Sequence, residues 1–153
     1  MKNYTYEKLI AEGDFLKFTL SNLGSHLDGN FETFSFNINA TSSHDSFTGK
    51  IKVEVIEEGI ISFSPELFEM SDNIRLKEAL PKVLLSCGIH GNETAPIEIC
   101  QQLIRAIILG ALDLRVNVVF ILGNLEAIKT QKRFISHNLN TLYSGNHGLT
   151  KIS

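Results

Sequence analysis

His90 and Glu93 are the pair in this chain whose types and spacing best suit chemistry. They stand in Gly88-Ile89-His90-Gly91-Asn92-Glu93-Thr94, where glycines crowd the approach to the histidine. With two residues between them across a tight turn, an imidazole and a carboxylate converge on one point. Both are donors of the kind that bind Zn²⁺. Gly88 and Gly91 permit the sharp backbone path that would aim them. The same residues also have a plainer reading, in which His90 hydrogen-bonds the turn and Glu93 is a favourable charge in a first helical turn. A bare His-x-x-Glu leaves both open.

Such a turn needs rigid elements on either side. Lys82-Val-Leu-Leu-Ser-Cys87 is nearly all apolar and bounded by glycine, as expected of a strand covered on both faces. After the turn, Cys100, Leu103, Ile104, Ile107, Ile108 and Ala111 recur at spacings of three and four, which marks the apolar stripe of a helix. Pro96 falls in its first turn, where a missing N–H costs little. Val116 to Leu122 reads as a second apolar strand ending at Gly123-Asn124, with a helical stretch from Leu125 to about Lys132. Strand, helix, strand within so few residues is a βαβ unit with parallel pairing. Its carboxyl edge is where open α/β sheets bind ligands.

The first half has another character. A short helix is expected around Tyr4 to Ala11, followed by an irregular entry past Gly13. From Phe31 the apolar period becomes two, and Thr41 to Ser46 is polar and reads as a loop. Ile51, Val53 and Val55 alternate with Lys50, Lys52 and Glu54, the pattern of a half-buried strand. Glu58-Gly59 turns the chain into a partner run from Ile60 to Phe63, which Pro65 is expected to end. Antiparallel strands therefore precede the βαβ unit, and the fold class is α/β with a mixed sheet.

Composition narrows the function. The 153 residues are 43% hydrophobic and 20% charged, the make-up of a globular chain with a core. A net charge of −3 offers no basic footprint for nucleic acid. The apolar runs are too short to cross a bilayer, and the first residues lack the apolar centre of a secretory signal. A cytoplasmic location is the resulting expectation. Cys87 and Cys100 sit in apolar stretches, which suits two buried free thiols, although spacing alone leaves a disulfide open.

The words around His90 carry a resemblance. GIHGNETAPIEI after the strand VLLSC, and then FILGNLEAIKTQKRFISHNLNTLYSG, closely resemble two blocks of the succinylglutamate desuccinylase and aspartoacylase family. These are zinc amidohydrolases with a zinc-carboxypeptidase-like fold. The blocks cover about Val83 to Gly145. The resemblance implies that His90 and Glu93 are zinc ligands, and that Arg133 and Asn140 contact substrate, with Arg133 holding a carboxylate. A guanidinium fork suits that role. Taken without the family, Arg133 reads as a solvated helix-end cation and Asn140 as a turn residue. The implied activity is hydrolysis of N-succinyl-L-glutamate, a small acyl-amino-acid, to succinate and L-glutamate in arginine breakdown.

The departures matter equally. Where the family has an arginine after Asn140, this chain has Thr141. Loss of a buried charge-assisted contact costs about 2–5 kcal/mol. The family is also roughly twice as long, and its third zinc ligand, a histidine, and its general-base glutamate fall beyond the position of Ser153. The resemblance thus implies the N-terminal part of a single zinc hydrolase domain over residues 1–153, lacking the C-terminal part, inactive alone, and with apolar sheet edges left uncovered. Its rivals are a non-catalytic remnant and a small α/β anion-binding domain with the anion at a helix N-terminus. Of the other histidines, His137 and His147 lie in the segment expected to line the site, and His26 and His44 in N-terminal loops.

Overall fold

Alternation in the middle of the chain dictates a sheet with one dry face. The computed structural model describes residues 5–24, 32–40, 47–69 and 80–141. Its strands are β1 (Phe34–Ala40), β2 (Phe47–Glu57), β3 (Ile60–Glu69), β4 (Lys82–Cys87) and β5 (Asn117–Leu122), in the order β1-β2-β3-β5-β4. The first three pair antiparallel, β3 pairs antiparallel with β5, and β5 pairs parallel with β4. One mixed sheet therefore joins the meander to the βαβ unit.

The register carries a single core across all five strands. Phe36 lies opposite Val53, Val53 opposite Phe63, Phe63 opposite Val118, and Val118 opposite Val83. Because side chains alternate along a strand, these residues share a face. Ile51, Val53, Val55, Ile61, Phe63, Val118, Phe120 and Leu122 are buried on it. Phe63 and Phe120 meet edge to face with centroids 5.9 Å apart, a favoured aromatic geometry.

Among the described residues four α-helices accompany the sheet: α1 (Tyr6–Glu12), α2 (Phe15–Asn22), α3 (Thr94–Ile108) and α4 (Leu125–Thr130). The crossover helix α3 buries Ile97, Cys100, Ile104, Ile107 and Ile108, the stripe its spacing predicts. Its Gln101 clamps the α1–α2 corner: the side-chain oxygen accepts from the Leu16 amide at 2.8 Å, and its nitrogen donates to the Gly13 carbonyl at 2.8 Å.

Four expectations change. The irregular entry after Gly13 is helix α2, capped by Asp14, whose carboxylate accepts from the Lys17 amide at 3.0 Å, and anchored by buried Phe15 and Phe18. The strand expected from Phe31 begins at Phe34, with residue 31 outside the described residues. Strand β3 continues through Pro65 to Glu69. Pairing with β5 stops at Phe63, so Pro65 interrupts no ladder on that flank. Finally, β4 is not covered on both faces: among the described residues it is an edge strand, with Val83 37% and Leu84 63% exposed. The expected loop from Thr41 to Ser46 lies outside the described residues, as does Tyr4.

Candidate functional site

The site forms where two parallel strands end together. Past Cys87, the amide of Gly123 donates to the Cys87 carbonyl and the amide of Asn124 to the Gly88 carbonyl, both at 2.8 Å. The ends of β4 and β5 are thereby tied to each other. Gly88 takes φ +70°, a region that costs glycine nothing, and the chain turns sharply toward His90. Gly91 then passes directly beneath α4. A Cβ there would strike the Ala127 carbonyl and the Ile128 amide, which are backbone groups with little freedom to give way.

Helix α4 is N-capped by Asn124, whose side chain accepts from the Ala127 amide at 3.1 Å. Its C-cap is Gln131, left-handed at φ 53°. That reversal brings Arg133 back to the turn, where its carbonyl accepts from the Gly91 amide at 3.3 Å. Two segments forty residues apart are thus stitched together by backbone before any side chain contributes.

The side chains complete a chain of contacts. His90 is buried, 3% exposed, while the Glu93 side chain is 50% exposed. The His90 Nδ1 lies 2.8 Å from Glu93 Oε1, and Arg133 donates to the same oxygen from 3.2 Å. On the other side of the ring, His90 Nε2 lies 2.9 Å from the side-chain oxygen of Asn138. Glu93 occupies the N-cap position of α3 but makes no side-chain capping bond, its carboxylate turned to His90 instead. A carboxylate standing at that helix terminus opposes an anion there, which disfavours the anion-binding reading.

A nitrogen and a carboxylate oxygen this close attract one another only through a shared proton or a cation. Two ligand atoms about 2.0–2.1 Å from a tetrahedral zinc stand about 3.3 Å apart, so the 2.8 Å pair opens by only about half an ångström to admit one. Donor types and spacing therefore fit a zinc ion. Among the described residues no group of three or more histidine, cysteine, aspartate or glutamate side chains surrounds such a point.

Of the four expected site residues, His90, Glu93 and Arg133 come together. Asn140 does not join them by its side chain. It lies in a 3₁₀ turn, Leu139–Thr141, and its backbone amide donates to the Asn138 side-chain oxygen at 3.2 Å. Thr141 donates its hydroxyl to the Asn138 carbonyl at 2.7 Å, a local bond that an arginine in its place would not make. His137 lines an open depression of about 510 Å³ between Gly123–Glu126 and Ile135–Leu139, and is not part of the His90 network. His26, His44 and His147 lie outside the described residues. Cys87 packs in the core.

Sequence reasoning missed Asn138. The signal was present: an asparagine two residues before another polar residue, opening a turn, is the pattern of a side chain that caps its own backbone. That pattern does not reveal the distant histidine.

Fold and site together define a mixed α/β protein with a histidine–glutamate pair at the carboxyl edge of its parallel strands. Residues 79–152 match the family model for the succinylglutamate desuccinylase/aspartoacylase catalytic domain. The succinylglutamate desuccinylase of Shewanella denitrificans is 37% identical over 140 residues, covering 92% of this chain and 35% of that protein. The namesake from Pseudoalteromonas atlantica is 45% identical over 96 residues, covering 63% of this chain and 25% of that one. The crystal structure of the succinylglutamate desuccinylase from Chromobacterium violaceum superposes with a TM-score of 0.62 at 25% identity, over 88% of this chain and 34% of that chain. The chain belongs to the succinylglutamate desuccinylase/aspartoacylase family of hydrolases. It spans about a third of the length of the curated relatives it matches. No helix among the described residues is long and apolar enough to cross a membrane.

Proposed function

We propose that this chain supplies part of the active site of a zinc-dependent amidohydrolase that cleaves N-succinyl-L-glutamate to succinate and L-glutamate, in the cytoplasm and in arginine breakdown. The carrying observation is the His90 Nδ1–Glu93 Oε1 pair at 2.8 Å, with Arg133 on the same carboxylate. Free Cys87 and Cys100 suit a reducing compartment.

His90 and Glu93 would hold the zinc, which, when bound, polarises the scissile carbonyl and lowers the pKa of its water. Arg133 is 54% exposed, and only one of its nitrogens meets Glu93 among the described residues. Its remaining donors can clamp a substrate carboxylate and fix the acyl-amino-acid in register. Asn140, on a turn held to the same site, offers an amide to the substrate's polar groups. Thr141 brings no positive charge, so recognition of the substrate's acidic groups falls more heavily on Arg133 here than in relatives with an arginine at that position.

Zinc titration by calorimetry tests the reading directly. The chain is expected to bind Zn²⁺, and His90→Ala to abolish binding. Undiminished affinity in H90A would sink the ligand assignment. In parallel, the 153-residue polypeptide is expected to give no turnover of N-succinyl-L-glutamate above the uncatalysed rate. A polypeptide completed with the remaining portion of a relative is expected to hydrolyse it, with loss of activity on adding chelator.

A further inference from the structure

We propose that Cys87 and Cys100 are a reversible modification site: they join as a disulfide that braces the base of the His90–Glu93 turn. The inference goes beyond the hydrolase reading and requires neither metal nor substrate.

Neither thiol takes part in the network around His90. Cys87 ends β4, just before the turn, and Cys100 lies on α3, just after it. Cys87 stands opposite the buried Leu122 in the parallel register, so both face the dry side of the sheet. Helix α3 crosses that side. A Cβ on Gly88 would lie 3.5 Å from Ile97 Cδ1, which places the start of α3 on the end of β4. A crossover helix runs back along the sheet. One turn beyond Ile97, Cys100 shares its buried stripe and comes over the residue before Gly88. There the two thiols hydrogen-bond, with Cys87 5% and Cys100 9% exposed.

Sulfurs in contact need only a short further approach to reach the about 2.05 Å of a disulfide. In the closed fold, burial keeps the Cys87 thiol protonated and unreactive at neutral pH. Reaction therefore waits for α3 to lift from the end of β4, a motion that uncovers both thiols together. The oxidant is a small-molecule disulfide. One cysteine thiolate attacks it, forming a mixed disulfide and releasing one small thiolate. The second cysteine thiolate attacks the protein sulfur of that bond, closing Cys87 to Cys100 and releasing the other. Two electrons pass from the cysteines to the small disulfide, and the two released thiolates take up the two thiol protons.

The ring so closed contains Gly88, His90, Gly91 and Glu93. A short covalent ring restricts the opened chain far more than the closed one, so it favours the native turn. Among the described residues β4 is an edge strand, and the bond would hold its end to α3 where no further strand does.

Equilibration of the whole chain with reduced and oxidised glutathione, approached from both directions, reads the site. Acid quenching, alkylation and peptide mass mapping then count the Cys87–Cys100 link. The native chain is expected to be half oxidised at a balance at least about tenfold more reducing than the same chain in urea, because native contact favours the bond. Equal balances in the two states, or mixed disulfides alone, would overturn the proposal. The bracing has its own readout in the amides of Gly91 and Glu93, which donate to the Arg133 and His90 carbonyls. Their hydrogen exchange is expected to slow on oxidation and to recover with dithiothreitol. Cys100→Ala is expected to show neither the link nor the slowing. Slowing in C100A, or unchanged exchange in the oxidised wild type, would overturn the brace.

Discussion

Strands β2 and β4 belong to one sheet and share the apolar vocabulary of Val, Ile and Leu, yet they live in different surroundings. In β2, Ile51, Val53 and Val55 are at most 2% exposed while Lys50 and Lys52 face solvent. A neighbour on each side and helices over one face leave every position with one assignment. In β4, Val83, Leu84 and Leu85 run consecutively, yet only Cys87 is buried. The alternating strand advertises one dry face and has one. The continuous run advertises two, and among the described residues receives a partner on one flank only. Apolar composition therefore reports what a strand is suited to touch, and alternation reports what it touches.

The site hangs on the exposed side of this contrast, and its backbone is the more demanding part. Gly91→Ala is expected to have the largest effect of any single change, because the added methyl meets the Ala127 carbonyl and the Ile128 amide. Neither can step aside without shifting α4 and, with it, the return of Arg133. A loss of about 3 kcal/mol or more is expected, the range of overpacking against rigid surroundings. Chemical denaturation would measure it. A loss below about 0.5 kcal/mol, the scale of an ordinary surface change, would mean that α4 sits loosely over the turn.

Paired substitutions sharpen the comparison of the strands themselves. Ile51→Ala removes a side chain 2% exposed and opposite Pro65 in the register, and is expected to cost about 2–4 kcal/mol. Leu84→Lys alters a larger surface, yet at 63% exposure it is expected to change stability by less than about 0.5 kcal/mol in this chain. Equal losses at the two sites would show that β4 is covered in solution. The β4 edge would then not be bare.

How much of this was legible beforehand follows the same line. The period-two residues of β2 and the three-four stripe of α3 could be read residue by residue, because amphipathic periodicity encodes a direction. The βαβ unit followed from the order of its elements. Helix α2 was missed because Phe15, Leu16 and Phe18 are too few to show a period, and its decisive signal, the Asp14 cap, is one residue. Pro65 was over-read, since proline forbids a ladder bond but not an unpaired flank. At the site, the meeting of His90, Glu93 and Arg133 was legible through the words around them. Asn138 was not, because its partner lies 48 residues away, and no local spacing encodes that meeting.

One pH effect separates the two regions least invasively. Cys87, the single buried residue of β4, has its thiol pushed up to about 12, chiefly by burial and further by Cys100 beside it. In the unfolded chain the thiol ionises near its ordinary value, about 8.5. Above that pH the unfolded state sheds a proton that the folded state keeps, so the native chain binds more protons and stability falls as pH rises. The decline is expected to begin near pH 9, at up to about 1.4 kcal/mol per pH unit, and to cease once the folded thiol itself ionises. Cys87→Ala should lower stability at neutral pH yet flatten this alkaline slope, whereas Ile51→Ala should lower the whole curve without changing its shape. Denaturation midpoints at several alkaline pH values would check both. An undiminished slope in C87A would show that the proton is lost elsewhere, and that the end of β4 is less dry than its neighbours in the core.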